Sequence, residues 1–249
     1  MKRLIFITIV CAFLAATAMA DHLGTVNLRE LSVNPGLVLT VGSSGYNGGA
    51  WVGVYNLNLS GVAGVPAYMN PYLTGNVQSF CIDLWDNSWT GSPIPYDVHT
   101  LDQTPDPMEA PGFAGMGAAR AGYIATLLDT YWVPNLTNNE AAALQAAVWE
   151  IVDEARLAAP NPAIWNTTWG NGNFYVNDNT VANRANVMLA SVANMSPYDN
   201  YVGLWNHSGD EQFPLGMWQD YVVRVPVPGA VLLGMLGFCV AGLKLRKLA

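Results

Sequence analysis

The segment QSFCIDLWD, residues 78–86, contains the only cysteine between residues 12 and 238. Its residues alternate in character, which predicts a β-strand with side chains on two opposite faces. One face is apolar and suits a protein core: Phe80, Ile82 and Leu84. The other face holds the cysteine and its neighbours: Ser79, Cys81, Asp83 and Trp85. Cys81 is therefore expected to face a second layer of the fold.

A second segment, LQAAVWEI at residues 144–151, lies in a predicted helix and carries a glutamine among apolar residues. Gln145 shares a helix face with several of them: Ala141, Ala142, Val148, Trp149 and Val152. The opposite face is also apolar, so we expect the helix to be buried on all sides. An unpaired buried amide costs about 1–3 kcal/mol. Gln145 therefore either hydrogen-bonds the backbone of a neighbouring segment or takes part in chemistry.

The body of the chain predicts strands, then helices, then strands again. Alternating runs predict the strands: TVNLREL, GLVLTVG, AWVGVYNLNLSGV, NVQSFCIDLWD and YDVHTLD before the helices, YVGLWNH and MWQDYVVRV after them. Helical spacing of apolar residues predicts three helices over 116–133, 138–158 and 179–195. Asn138 is expected to cap the second helix and Pro160 to stop it. This order favours an α+β fold, a β-sandwich or barrel with a three-helix insert.

The composition indicates one acidic, aromatic, extracellular domain over residues 21–224. Charged residues are 11% of the sequence, which also has nine Trp and eleven Tyr. The domain contains five arginines, no lysine and all eighteen acidic residues, so its formal net charge is −13. The missing basic surface excludes nucleic-acid binding.

The N-terminus is typical of a secretory signal peptide over residues 1–20. Lys2 and Arg3 precede an apolar run, and Ala, Met and Ala at 18–20 form an A-x-A cleavage site. The run is too short for a transmembrane helix, which needs about 20 apolar residues.

The C-terminal segment 225–249 is expected to cross a membrane. Residues 225–243 carry no charge, and a basic cluster follows at once: Lys244, Arg246 and Lys247. By the positive-inside rule this cluster stays in the cytoplasm and the preceding domain lies outside. A buried core helix is the alternative. Since the two other cysteines lie in the end segments, Cys81 has no partner for an intramolecular disulfide.

The tail resembles the PEP-CTERM family of bacterial sorting signals, through the run VPVPGA that starts at Val225, the apolar helix and the basic end. The resemblance implies that an exosortase in the membrane cuts near Pro226 and Pro228 and passes the protein to the cell surface or matrix. The family's usual Glu between the prolines is Val227 here, as in the VPLPA type of variant. Simple membrane anchoring is therefore the alternative to cleavage.

The body, over roughly residues 23–224, resembles the bacterial thioester domain of surface adhesins. The resemblance rests on FCIDL at 80–84 and ALQAAVWEI at 143–151. It implies that the Cys81 sulfur attacks the Gln145 carboxamide, that ammonia leaves, and that the thioester then reacts with an amine of a surface or matrix target. It also implies single-turnover chemistry without a cofactor, rather than an enzyme. Leu144 stands where many adhesins have Thr.

This chemistry needs a base to form the thiolate and a site that excludes water. Asp83 is the expected base, because it lies on the same strand face as the cysteine. Glu150 is a weaker candidate, being one residue off the Gln145 face. Trp85 and Trp149 are expected to shield the bond.

Two other classes remain open on the residues alone. In a non-catalytic envelope or matrix protein of the same fold, Cys81 is a buried thiol and Gln145 a hydrogen-bonding core residue. A cysteine peptidase requires His99 or His207 near Cys81. The three histidines, which include His22, show no metal-ligand spacing, so no metal site is expected.

Overall fold

The computed structural model describes residues 22–43, 46–84, 90–104, 115–154, 160–169, 171–192, 194–206 and 218–226. The predicted signal peptide lies outside the described residues. So do several residues singled out in the sequence: Trp85, His207, Pro228, Lys244, Arg246 and Lys247.

Seven strands form one antiparallel sheet: β1 His22–Ser43, β2 Tyr46–Ala63, β3 Gly75–Cys81, β4 Ile94–Thr100, β5 Tyr175–Val176, β6 Tyr201–Trp205 and β7 Tyr221–Arg224. Their order is β2-β3-β7-β6-β4-β1-β5, and β1 also pairs with β2. Six strands therefore close into a ring, and β5 extends β1 at Val41 and Gly42. Beyond the ring, the stretch of β2 before Tyr55 pairs with β1 alone.

The first two predicted strands are one continuous strand, β1. Its N-terminal part pairs with β4 and most of its length pairs with β2. Three register shifts, the last between Val33 and Gly36, bend the strand along its path. The Asn34–Pro35 step between the two predicted strands thus lies at an irregularity within the ladder.

The predicted strand across residues 78–86 ends earlier than expected, at Cys81. The Ile82 N–H still donates to the carbonyl of Asp220, and the chain leaves the ladder at Asp83, whose N–H donates to the Cys81 sulfur. The expectation that Asp83 continues the strand face of Cys81 is therefore wrong.

Three α-helices lie between β4 and β6: α1 Gly117–Tyr131, α2 Asn138–Asp153 and α3 Asn179–Ala190. Short 3₁₀ turns occur at Asn70–Tyr72, Leu101–Gln103 and Pro162–Ile164. The α+β class and the three predicted helices are confirmed. Among the described residues, no helix is long and apolar enough to span a membrane.

Helix α2 lies at the centre of the fold. It packs on both other helices and on four strands, β1, β2, β3 and β5. Every residue from Ala141 to Asp153 is buried, which agrees with the apolar character of both its faces. The two layers of the fold meet along this helix.

The ends of α2 differ from those expected. Thr137, not Asn138, is the N-cap, and its side chain accepts from the N–H of Glu140. The helix stops at Asp153, before Pro160, and the Arg120 guanidinium donates to the carbonyls of Ile151 and Glu154 at this end. This buried cation satisfies acceptors that the helix itself leaves open.

Candidate functional site

Gln145 and Cys81 meet at the contact between α2 and β3. The Cys81 N–H donates to Gln145 Oε1 at 2.9 Å, and Gln145 Nε2 donates to the Cys81 carbonyl at 2.7 Å. Both residues are completely buried. One side-chain amide thus binds both backbone polar groups of a single residue 64 positions away, and its carbon is fixed beside the cysteine.

The Cys81 thiol is not part of a disulfide, and it lies between the backbone of Asp83 and the indole of Trp149. Its Sγ donates to the Asp83 carbonyl at 2.7 Å and accepts from the Asp83 N–H at 3.3 Å. The Trp149 Nε1 makes no conventional hydrogen bond among the described residues. It lies close enough to Sγ, however, to act as a donor that lowers the pKa of the thiol.

The thiol is held in its protonated form. Burial is the largest cause that raises the pKa of Cys81 well above its usual value, and the negative charge of Asp83 raises it further. The Asp83 N–H and the Trp149 indole oppose this rise, and the charge of Asp220 adds to it. The site therefore stores a thiol rather than a thiolate, and reaction requires removal of the proton during attack.

Water is excluded on the helix side of the site. Trp149 is buried and packs against Phe174, with ring centroids 6.0 Å apart. On the strand side, Phe80 packs edge-on against Trp132 at 5.1 Å. Trp149 therefore has the surroundings expected of a shielding residue, while Trp85 lies outside the described residues.

Glu150 is held by the backbone of Asn166, and its charge is not among the causes that act on the pKa of Cys81. Its Oε1 accepts from the Asn166 N–H at 2.7 Å, and burial raises the pKa of its carboxyl to about 8. The charges of Glu154 and Asp153 also act on it. Glu150 therefore stays the weaker candidate for the base, behind Asp83.

Strand β7 supplies neighbours that the sequence analysis missed. Tyr221 pairs with Cys81 in the ladder, and its hydroxyl donates to Glu30 Oε2 at 2.9 Å. Asp220 is buried, and its Oδ1 accepts from the Asn206 N–H. Pairing of β3 with β7 joins segments 140 residues apart, and the MWQDYVVRV run carries no signal of that partner.

Two of the three histidines come together although their spacing in the sequence gives no metal motif. His22 pairs with His99 across β1 and β4, and Asp97 lies two residues before His99. One ligand atom from each of these three side chains lies within 4.8 Å of the others. This group is the place among the described residues where side chains suited to a metal ion gather.

No family profile and no curated protein matches the sequence. Among solved structures, the N-terminal thioester domain of the fibronectin-binding protein SfbI from Streptococcus pyogenes is similar to this chain. The two share 12% sequence identity with a TM-score of 0.38, over 85% of this chain and 97% of the streptococcal domain. A likeness at this level leaves the function to be argued from the contacts of Cys81 and Gln145.

Proposed function

We propose that Cys81 and Gln145 form an internal thioester and that this exported surface protein uses it to attach covalently to amine groups. One observation carries the proposal: the Gln145 amide is clamped at both of its polar atoms to the backbone of Cys81. Such a clamp replaces a chance encounter of thiol and amide by a fixed one, which is a large part of what intramolecular catalysis supplies.

The proposal requires the Cys81 sulfur to reach the Gln145 carboxamide carbon by movement of the cysteine side chain. The carboxamide carbon lies between Oε1 and Nε2, which are 2.9 and 2.7 Å from the Cys81 backbone. The sulfur is two bonds from the Cα of the same residue. Rotation about the Cα–Cβ bond of Cys81 is the single movement that we invoke to bring Sγ from the Asp83 carbonyl to this carbon.

Thioester formation exchanges one bond for another. The sulfur–carbon bond forms as the carbon–nitrogen bond of Gln145 breaks, the thiol proton ends on the departing nitrogen, and ammonia leaves. The nitrogen that departs is the one that already donates to the Cys81 carbonyl. Since proton loss and gain balance within the site, the reaction needs no external acid or base overall.

Charge that develops during attack meets donors already in place. Negative charge accumulates on Gln145 Oε1, which the Cys81 N–H already contacts at 2.9 Å. The Trp149 indole N–H faces the sulfur and stabilises its charge as the proton leaves. Donors fixed in a buried site stabilise such charge without reorganisation, and one donor typically contributes about 10²–10³ in rate.

Asp83 is the proposed carrier of the proton from sulfur to nitrogen. Its negative charge raises the pKa of Cys81, and its backbone N–H and carbonyl both contact the sulfur. A carboxylate there favours the protonated thiol at rest and accepts the proton only as the sulfur attacks. The backbone of the same residue holds Sγ until then.

The absence of lysine from residues 21–224 is consistent with an amine-reactive bond. A domain without ε-amines does not quench its own thioester or join to identical neighbours through this body. Complete burial of both residues protects the bond from hydrolysis. A target amine therefore reaches the carbonyl only after local opening, so small amines are expected to react faster than bulky ones.

Export and sorting belong to the same proposal. The signal peptide over residues 1–20 would carry the domain out of the cytoplasm, and the PEP-CTERM-like tail would hold it in the membrane or present it to an exosortase. Recovery of secreted protein that ends near Pro226 would support cleavage, whereas recovery of full-length protein in the membrane would support anchoring.

The rival function is that of a non-catalytic envelope or matrix protein, and one observation favours it. The same two hydrogen bonds that position Gln145 also satisfy its amide. They therefore remove the energetic penalty that made a buried glutamine notable. Whether the thioester bond forms is therefore what distinguishes the two functions.

The experiment treats the exported protein with methylamine and measures how much of the amine the protein captures. We expect one methylamine per chain, linked at Gln145, with simultaneous release of a thiol at Cys81. A bulkier primary amine should react more slowly, because both residues are buried. Peptide mapping by mass spectrometry after digestion locates the modified residue.

Two variants complete this experiment. Cys81→Ala should show no capture, and Asp83→Asn should form the thioester more slowly, since it keeps the backbone contacts of residue 83 but loses the carboxylate. Capture by Cys81→Ala, or no capture by wild-type protein that is folded, would favour the matrix function.

A further inference from the structure

We propose that His22, Asp97 and His99 form a binding site for a divalent transition-metal ion. The side chains stand on two adjacent antiparallel strands, β1 and β4, in a register that pairs His22 with His99. Asp97 and His99 are two residues apart on β4, so their side chains lie on the same face. The three ligand groups therefore share one patch of the sheet for purely geometric reasons.

The distances suit a small metal ion. His22 Nε2 is 3.3 Å from Asp97 Oδ1, and the ligand atoms of all three residues lie within 4.8 Å of one another. Two ligands at the usual zinc bond lengths of about 2.0–2.2 Å are separated by about 3.4 Å in a tetrahedral site. The first pair already has this spacing, and the half-exposed His22 ring lies against that of His99, the third ligand.

The site is rigid on one side and open on the other. The His99 ring is buried and packs against Trp205, with centroids 4.8 Å apart, and against His22 at 5.2 Å. The side chains of His22 and Asp97 are 52% and 37% exposed. Three protein ligands with an open, solvent-facing position describe a site that also accepts water or an exogenous ligand.

The ligand set selects the class of ion. Two imidazole nitrogens and one carboxylate oxygen favour zinc and neighbouring first-row ions over calcium or magnesium, which prefer oxygen ligands. Two strands, β7 and β6, separate β4 from β3 in the sheet order. The proposed site therefore lies three strand steps along the sheet from the Cys81 strand and shares no residue with the Cys81–Gln145 site.

The test uses zinc and cobalt ions with the exported protein, purified without a histidine tag. Zinc at about 100-fold above its dissociation constant should raise the melting temperature by about 5–10 °C, because it binds the folded state alone. Cobalt should give the visible absorption bands of a site of low coordination number. One equivalent of ion per chain is expected by isothermal titration.

Variants assign the ligands. His22→Ala removes a half-exposed ligand, and Asp97→Asn replaces the carboxylate ligand by a weaker amide. Each variant should reduce zinc affinity at least tenfold and abolish the cobalt bands. Asp199→Asn, which removes an exposed carboxylate elsewhere, should leave the affinity unchanged. Zinc binding that is unaltered in His22→Ala, or no binding by folded wild-type protein, would overturn the proposal and leave a hydrogen-bonded His22–Asp97 pair.

Discussion

Removal of the Gln145 side chain is expected to destabilise the fold by about 3–5 kcal/mol, when measured in a Cys81→Ala background. The background matters because Gln145 keeps its amide there whether or not the wild-type protein forms a thioester. Gln145→Ala then deletes both hydrogen bonds to residue 81. It also leaves a cavity beside a helix that is buried on every side. Urea unfolding of the single and double variants measures the difference.

Gln145→Glu in the same background is the matched control. A protonated carboxyl group can accept from the residue 81 N–H and donate to its carbonyl, as the amide does, whereas a carboxylate cannot donate. The destabilisation should therefore be small near pH 4 and approach or exceed that of Gln145→Ala at pH 8. An equal cost of Gln145→Glu at both pH values would show that the two backbone contacts do not hold this side chain.

The second large effect concerns Glu150. Burial raises the pKa of its carboxyl from 4.5 to about 8, so the folded protein retains a proton that the unfolded chain has lost across this interval. The contribution of this group to the free energy of unfolding is fully present below about pH 4.5 and is lost as the pH rises to 8. We expect Glu150→Gln to match wild-type stability near pH 4.5 and to exceed it by on the order of 3 kcal/mol above pH 8.

This variant is conservative at the contact that matters, because an amide oxygen still accepts from the Asn166 N–H. Glu140→Gln on the same helix is the control: Glu140 pairs with Arg184 at 2.9 Å, and both side chains are more than a third exposed. That pair should contribute less than about 1 kcal/mol at any pH. A constant difference between Glu150→Gln and wild type from pH 4.5 to 8.5 would contradict a buried, protonated Glu150.

The sequence predicts the elements of this fold better than their pairings. Apolar residues on both faces of 138–158 indicate a helix buried on all sides, and α2 has that environment. Thr137 and Asn138 are both residues that cap helices, so local pattern does not choose between them. Likewise, alternation at 78–86 does not reveal that the strand ends at Cys81, because the backbone of Asp83 bonds the Cys81 sulfur instead of a neighbouring strand.

For the candidate site, too, the sequence predicts the environment of single residues better than the contacts between them. Burial of Gln145 follows from its helix, but its contact with Cys81 joins residues 64 apart, and only the resemblance to thioester domains paired them in advance. Tyr221 and Asp220 reach the cysteine through the ladder of β3 with β7. The histidines meet across β1 and β4, a kind of proximity that spacing along the chain does not encode.

Everything proposed about attachment depends on a covalent bond between a buried sulfur and a buried carbonyl carbon. Intact mass of the denatured, exported protein, combined with mapping of the peptides that contain residues 81 and 145, tests it most directly. The account predicts a mass lower by one ammonia and a linked pair of peptides. A mass equal to that of the unmodified chain between its determined ends, with the peptide of Cys81 carrying a free thiol, would contradict it.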